Sequence, residues 1–114
     1  MIEKLTSIIM LLRGLDVGFN GLTEPSGNTG AWLVVAPSGQ ADRFYNLSRE
    51  EPLQFQILVK HPTPNGAIVN IDAIKDTLER FGIEAYTQPS QVERDEKRAL
   101  YTALFRTIIE KEGN

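Results

Sequence analysis

The sequence predicts an α+β fold, with a mixed, mainly antiparallel sheet of about five or six strands and two helices packed on one face. Three observations predict it. Residues 53–61 read LQFQILVKH, with Leu53, Phe55, Ile57 and Val59 at every second position and Gln54, Gln56 and Lys60 between them, the period of a strand with one face against a core. Ile2–Arg13 and the stretch from residue 67 to 81 instead space their apolar residues three and four apart, as amphipathic helices do. A chain of 114 residues has room for a single domain, residues 1–114, with one modest core.

Taken in order, the first helix carries Leu5, Ile8, Ile9 and Leu12 on one face, with Glu3, Lys4, Ser7 and Arg13 toward solvent, and Gly14 suits a left-handed position at its end. Leu15, Val17 and Phe19 then alternate with polar or small residues and predict a short strand, which Asn20-Gly21 turns. Residues 24–30, EPSGNTG, contain no apolar side chain and predict an exposed, mobile loop. Residues 31–36, AWLVVA, are apolar throughout and predict a central strand covered on both faces or completing a subunit contact. A polar turn follows, then RFYNL at 43–47 as a further strand, and Ser48 to Glu51 as a turn held short of a helix by Pro52.

The 53–61 strand organises the rest. Burying its four alternating side chains is worth about 1.5–3 kcal/mol each as an upper bound. Beyond it, Pro62, Pro64, Asn65 and Gly66 predict a stiff connector, and Ile68, Ile71, Ile74, Leu78 and Phe81 share a helical face in a helix starting near Asn70 or a few residues earlier. That places Asp72 in the first turns. Gly82 closes the helix. Residues 83–87 read as a strand, giving a strand–helix–strand unit with a right-handed crossover if the two strands are parallel. Residues 88–97 are a polar, charged loop. Residues 100–109 fit helix or strand by period, but two threonines, two isoleucines and two aromatics favour a strand in a long hairpin with 83–87.

Composition narrows the function classes. Twelve basic against fifteen acidic residues give a net charge of −3, and no basic cluster is denser than Arg94, Lys97 and Arg98, which argues against tight binding of a phosphate backbone. There is no cysteine, so disulfides, thiolate catalysis and the usual zinc frameworks are excluded. No apolar run exceeds six residues, too short for a membrane span, and the run at residues 8–12 lacks a signal-peptide cleavage pattern, so the chain is expected inside a cell. No GxSxG, Walker A or GxGxxG motif occurs, and the glycines at 18, 21, 27 and 30 precede a strand where a phosphate loop must open a helix. His61 is the sole histidine and reads as a polar strand end more readily than as a catalyst. Glu93, Asp95 and Glu96 sit among Arg94, Lys97 and Arg98 as a solvated patch, not a cation site. Trp32 and the Phe44-Tyr45 pair lack the interleaved basic residues of a base-stacking platform and read as core or interface. The sequon at Asn46 carries no meaning without secretion. No cofactor, metal or catalytic residue is expected.

An N-terminal helix running into LLRGLDVGFN, then FYNL followed by REEPLQFQILVKH, and a closing TALFRTIIEK, resembles the small phage and prophage minor capsid proteins grouped with the tail terminators of long-tailed bacteriophages. The likeness spans nearly the whole chain, and its motifs are structural. It implies a tail-terminator-like α+β protomer that closes into a ring, usually a hexamer, capping the tail tube and joining it to the DNA-filled head. The implied partners are further copies of the chain, the tail tube and head-completion proteins. The implied location is the virion, after synthesis in the bacterial host cytoplasm, with a protomer in isolation that can be monomeric. A head-completion or stopper protein is the nearest alternative.

For such a ring, Trp32, Val34, Arg43, Phe44, Tyr45, Arg49 and Glu50 are the candidate interface residues, with Arg43 and Arg49 facing Glu50 or Glu51 of a neighbour. Glu24, Asn28, Glu93, Arg94 and Asp95 are candidates for docking loops that meet tube or head. DNA must pass through the ring, and an acidic protein suits passage without adhesion. Two readings from other classes compete: a small enzyme or ligand-binding domain using His61 with Asp42 or Asp72, and a monomeric module whose aromatic surface takes a partner protein.

Overall fold

A computed structural model describes residues 2–35, 50–85, 87–94 and 97–110. In chain order the elements are α1 (Ile2–Arg13), β1 (Gly30–Val35), β2 (Glu50–His61), α2 (Pro64–Arg80), β3 (Glu84–Ala85), β4 (Ser90–Arg94) and β5 (Ala99–Glu110). Two helices and an open, five-stranded antiparallel sheet make this an α+β fold, as the residue periods predict. The strand at 43–47 lies outside the described residues.

The sheet is built outward from one pair. β2 and β5 run antiparallel in unbroken register from Glu50↔Glu110 to His61↔Ala99, so the ambiguous segment at 100–109 is a strand. β1 pairs with the other edge of β2, from Gly30↔Lys60 to Val35↔Phe55. β3 and β4 lie along the free edge of β5, opposite Arg106–Phe105 and Thr102–Ala99 respectively. They act as one interrupted edge strand: Thr87 bridges the gap with its Oγ1, which accepts from the Leu104 amide at 2.9 Å. β2 and β3 are therefore parallel to each other, but β5 separates them, so the strand–helix–strand unit is split and does not form an adjacent pair.

Alternation sorts the side chains into two layers. Ala31, Leu33, Phe55, Ile57, Val59, Ala103 and Phe105 face the helices and are buried, with the Phe55 and Phe105 rings stacked at 5.5 Å and 14°. α2 contributes Ala67, Ile71, Ile74 and Leu78 to that core, and α1 contributes Ile8 and Leu12. Ile68 and Phe81, expected on the same helical face, are 37% and 62% exposed. The buried stripe is set by residues 67, 71, 74 and 78, which leaves Ile68 one position off it and Phe81 beyond the last turn.

Several local expectations need correcting. α2 begins six residues before Asn70, because Thr63 caps it through Oγ1 to the Gly66 amide at 3.1 Å and Pro64 takes the first helical position, where its missing donor costs nothing. Asp72 consequently lies mid-helix and exposed. Gly14 does not adopt a positive φ; α1 ends in a tightened turn, Gly14 N to Leu11 O and Leu15 N to Leu12 O. Residues 15–20 form no strand: Val17 and Phe19 are buried, but only a single bridge joins Phe19 to Ala31, since Gly18 and Gly21 at φ 68° and 80° turn the backbone away on either side. Residues 50–52 continue β2 instead of turning; β1 ends opposite Phe55, so Pro52 meets no strand on that side among the described residues. β1 is the end strand of the described sheet and not central. Within the expected loop at 88–97, residues 90–94 are strand β4.

Phe105→Ala removes one ring of the stacked pair at the centre of the core. It is expected to lower stability by about 3–5 kcal/mol in a urea titration, with an unchanged m-value.

Candidate functional site

The described residue with the least expected environment is Lys60. In β2 it belongs to the outer sheet face, beyond the helices, where a lysine ordinarily reaches water. It is only 1% exposed. Its register partner on β1 is Gly30, and the absence of a side chain there lets the loop between residue 21 and β1 fold down onto the sheet. A Cβ at Gly30 would overlap the ring of Pro25, so this loop seats Pro25 where a side chain would otherwise stand.

The loop then closes over the amine. Lys60 Nζ donates to Glu24 Oε2 at 3.1 Å and to the Pro25 carbonyl, and it lies 5.7 Å from the centroid of the Trp32 ring, two residues along β1 from Gly30. The same Glu24 oxygen receives Arg98 Nη1 at 3.4 Å, while Arg98 Nη2 reaches Glu93 Oε1 at 3.4 Å. One carboxylate thus joins a loop, β2 and the residue just before β5. The hydrogen bond from Lys60, reinforced by the charges of Lys60 and Arg98, holds the Glu24 carboxyl below its ordinary range against the opposing effect of desolvation.

Trp32, Glu24 and Glu93 therefore meet at one place, through Lys60 and Arg98. Val34 lies two residues from Trp32 on the same face of β1 and is 42% exposed. Asn28 is exposed in the loop, and Arg94 is exposed in β4 opposite Ala99, so Glu93 and Arg94 belong to a strand and not to a docking loop. The loop at 24–30, expected to be free, is tied down by Glu24 and Pro25. Asp42, Arg43, Phe44, Tyr45, Arg49 and Asp95 lie outside the described residues. Glu50 sits in β2 opposite Glu110. Sequence reasoning placed Lys60 on the face away from the core and said nothing of what covers it. The signal that could have supplied it is Gly30, which vacates the position beside Lys60, and that is visible only once the register is known.

His61 stands on the next position and does different work. Its Nδ1 accepts from the Thr63 amide at 3.1 Å and lies 3.2 Å from Thr63 Oγ1, and a Cβ at Gly66 would overlap the ring. The imidazole fills the space at the entrance of α2 that Gly66 leaves open. Among the described residues its partner is Thr63, and no group of three His, Cys, Asp or Glu that could hold a metal occurs among them.

The outer face is otherwise a polar and apolar mixture. Gln56 Nε2 donates to Thr102 Oγ1 at 2.8 Å, and Thr102 Oγ1 donates to the Ile57 carbonyl at 2.9 Å. Leu58, Leu100 and Leu104 are half-buried around them. On the helical side an open apolar groove of about 470 Å³ lies between α1 and the end of α2, lined by Ile8, Met10, Leu11, Phe81 and Ile83 with Ser7. No helix among the described residues is long and apolar enough to cross a membrane. No family model and no curated protein matches the chain.

His61→Ala removes the acceptor for the Thr63 amide and the ring beneath Gly66. A loss of about 1 kcal/mol is expected in chemical denaturation, with α2 retained by far-UV circular dichroism. Unchanged stability would show that the ring does not brace the helix entrance.

Proposed function

We propose that this protein is a structural part of a phage head–tail joint, a tail terminator that closes into a ring, with a head-completion or stopper role as its nearest alternative. The observation that carries the proposal is the open sheet, whose described strands end in β1, its edge met by residues 18–21 as far as Leu33, and in the fully exposed strip of β4, with Val34 exposed beside Trp32. A sheet with two ends can meet the next copy heterologously, and a heterologous contact is what generates a ring when its rotation closes. The resemblance of the segment order to the phage minor capsid proteins supports the same reading and suggests a hexamer.

In this proposal the work is mechanical. The protomer joins its neighbours by the outer face and sheet ends, and the tube or head by loops and by the apolar groove between α1 and α2. It needs no bond-making residue, and His61 braces a helix start. A net charge of −3 favours weak contact with the DNA that would pass through the ring. The place of action would be the virion, after synthesis in the host cytoplasm.

Light scattering after size exclusion, with negative-stain microscopy, tests the proposal on the protein alone and mixed with a tail-tube protein from the same genome. Rings are expected in at least the mixture. Val34→Glu places a charge on the exposed outer face of β1 and is expected to shift assemblies toward the protomer without altering far-UV circular dichroism. A wild-type chain that stays monomeric at high concentration, alone and with the tube protein, overturns the reading.

A further inference from the structure

We propose that residues 21–30 form a latch over the Lys60 end of the outer sheet face, pinned by the Glu24 carboxylate, and that the latch opens without unfolding the core when that charge is lost. The proposal stands apart from the ring reading, because it concerns the protomer alone.

The loop has the construction of a hinged flap. Gly21 and Gly30 stand at its two ends with φ of 80° and 151°, and Gly27 near its tip has φ 82°, conformations that side chains rarely adopt. Its base is fixed to β1: Leu33 N donates to Gly21 O at 2.8 Å, and Ala31 N to Gly18 O at 3.2 Å. Between those ends the described hydrogen bonds to the sheet are those of Glu24 with Lys60 and Arg98 and of the Pro25 carbonyl with Lys60; Asn20 Nδ2 to Thr23 O lies within the flap. Leu22 is 54% exposed, and residues 23, 24 and 26–29 are also exposed. Pro25 seats against Gly30, and the exposed residues of the flap leave charge as the specific pin of the closure.

The two sides of the pin differ in exposure. The Lys60 side chain is 2% exposed, whereas that of Glu24 is 50% exposed. Protons and salt reach the carboxylate from outside while the ammonium stays covered. Once Glu24 is neutral, Lys60 keeps a buried charge with the Pro25 carbonyl and the face of the Trp32 ring to meet it but no counter-charge from the flap, and swinging the flap aside restores its water. The core, on the far side of the sheet, is not touched by this motion.

Among the described residues, the charged groups around the pin are Lys60 from β2, Arg98 just before β5, and Glu93 of β4, which shares Arg98, and β1 contributes the Trp32 ring. Because the Glu24 carboxyl lies below its ordinary value when the latch is shut, closure is fully favoured above the ordinary glutamate range and is lost as pH falls through the lowered value. Opening uncovers an ammonium beside an indole.

The test reads Lys60 directly. Wild type and Glu24→Gln are acetylated at neutral pH, and labelling at each lysine is followed by mass spectrometry, with Lys75 as internal reference. Lys60 is expected to react about ten-fold faster in Glu24→Gln, while Lys75 does not change. Acrylamide quenching of Trp32, the sole tryptophan, should stay low in wild type above about pH 5 and rise as pH falls from about 5 to about 2.5, through and below the ordinary glutamate range, at constant far-UV circular dichroism. The wild-type series decides the matter if the variant does not fold. Equal Lys60 labelling in a folded Glu24→Gln, or flat quenching in folded wild type across that range, overturns the latch.

Discussion

The structure depends on the pairing of β2 with β5. Twelve residues of each strand lie in register without a bulge, and the stacked Phe55 and Phe105 rings sit within that register as direct cross-strand partners. A slip of one residue would carry Phe55, Ile57 and Val59 to the outer face and leave Gln54, Gln56 and Lys60 against the helices, so the hydrophobic pattern fixes the register. Every other described strand attaches to an edge of this pair, and α2 packs against both of its members. The apolar stripe of α2 is matched to that platform, which explains why Ala67 is buried and the larger Ile68 is not.

Much of this was legible in the residues. The organising strand, α1, the existence of α2 and the choice of strand for 100–109 all follow from period and composition, because burial against a single core acts on every second or every third and fourth side chain. Boundaries fared worse where local chemistry overrode pattern. Pro62, Pro64, Asn65 and Gly66 were read as a stiff connector, although threonine before proline is also how a helix begins; the capping hydrogen bond from Gly66 N to Thr63 Oγ1 decides between the two, and it is a geometric fact. The glycines around 15–21 produced the opposite error. The alternation there is real, in that Val17 and Phe19 are buried, but strand pairing needs consecutive extended residues, and positive φ at Gly18 and Gly21 denies them.

The candidate site was legible only in pieces. Glu24, Trp32 and Glu93 were marked for their exposure or aromatic character, but their convergence passes through Lys60 and Arg98, and a period of two says which face a lysine is on without saying what lies above it. That depends on a non-local coincidence: Gly30 opposite Lys60 in register, and Pro25 five residues upstream filling the vacated place. No window of a single sequence holds those three positions in their spatial relation.

The two faces of the sheet consequently differ in kind. On the helical face, burial is apolar and dense, and a buried charge there would have to be matched by atoms whose positions the core already fixes. On the outer face, Lys60 is buried by a loop that supplies its own counter-charge and carbonyl, so the compensation travels with the cover. Charge burial of this second sort adds a specific closed conformation without drawing on the packing that holds the fold. It also separates roles along a single strand: Phe55, Ile57 and Val59 hold the domain together, and Lys60, at the end of the same β2, decides how one end of its other surface is presented.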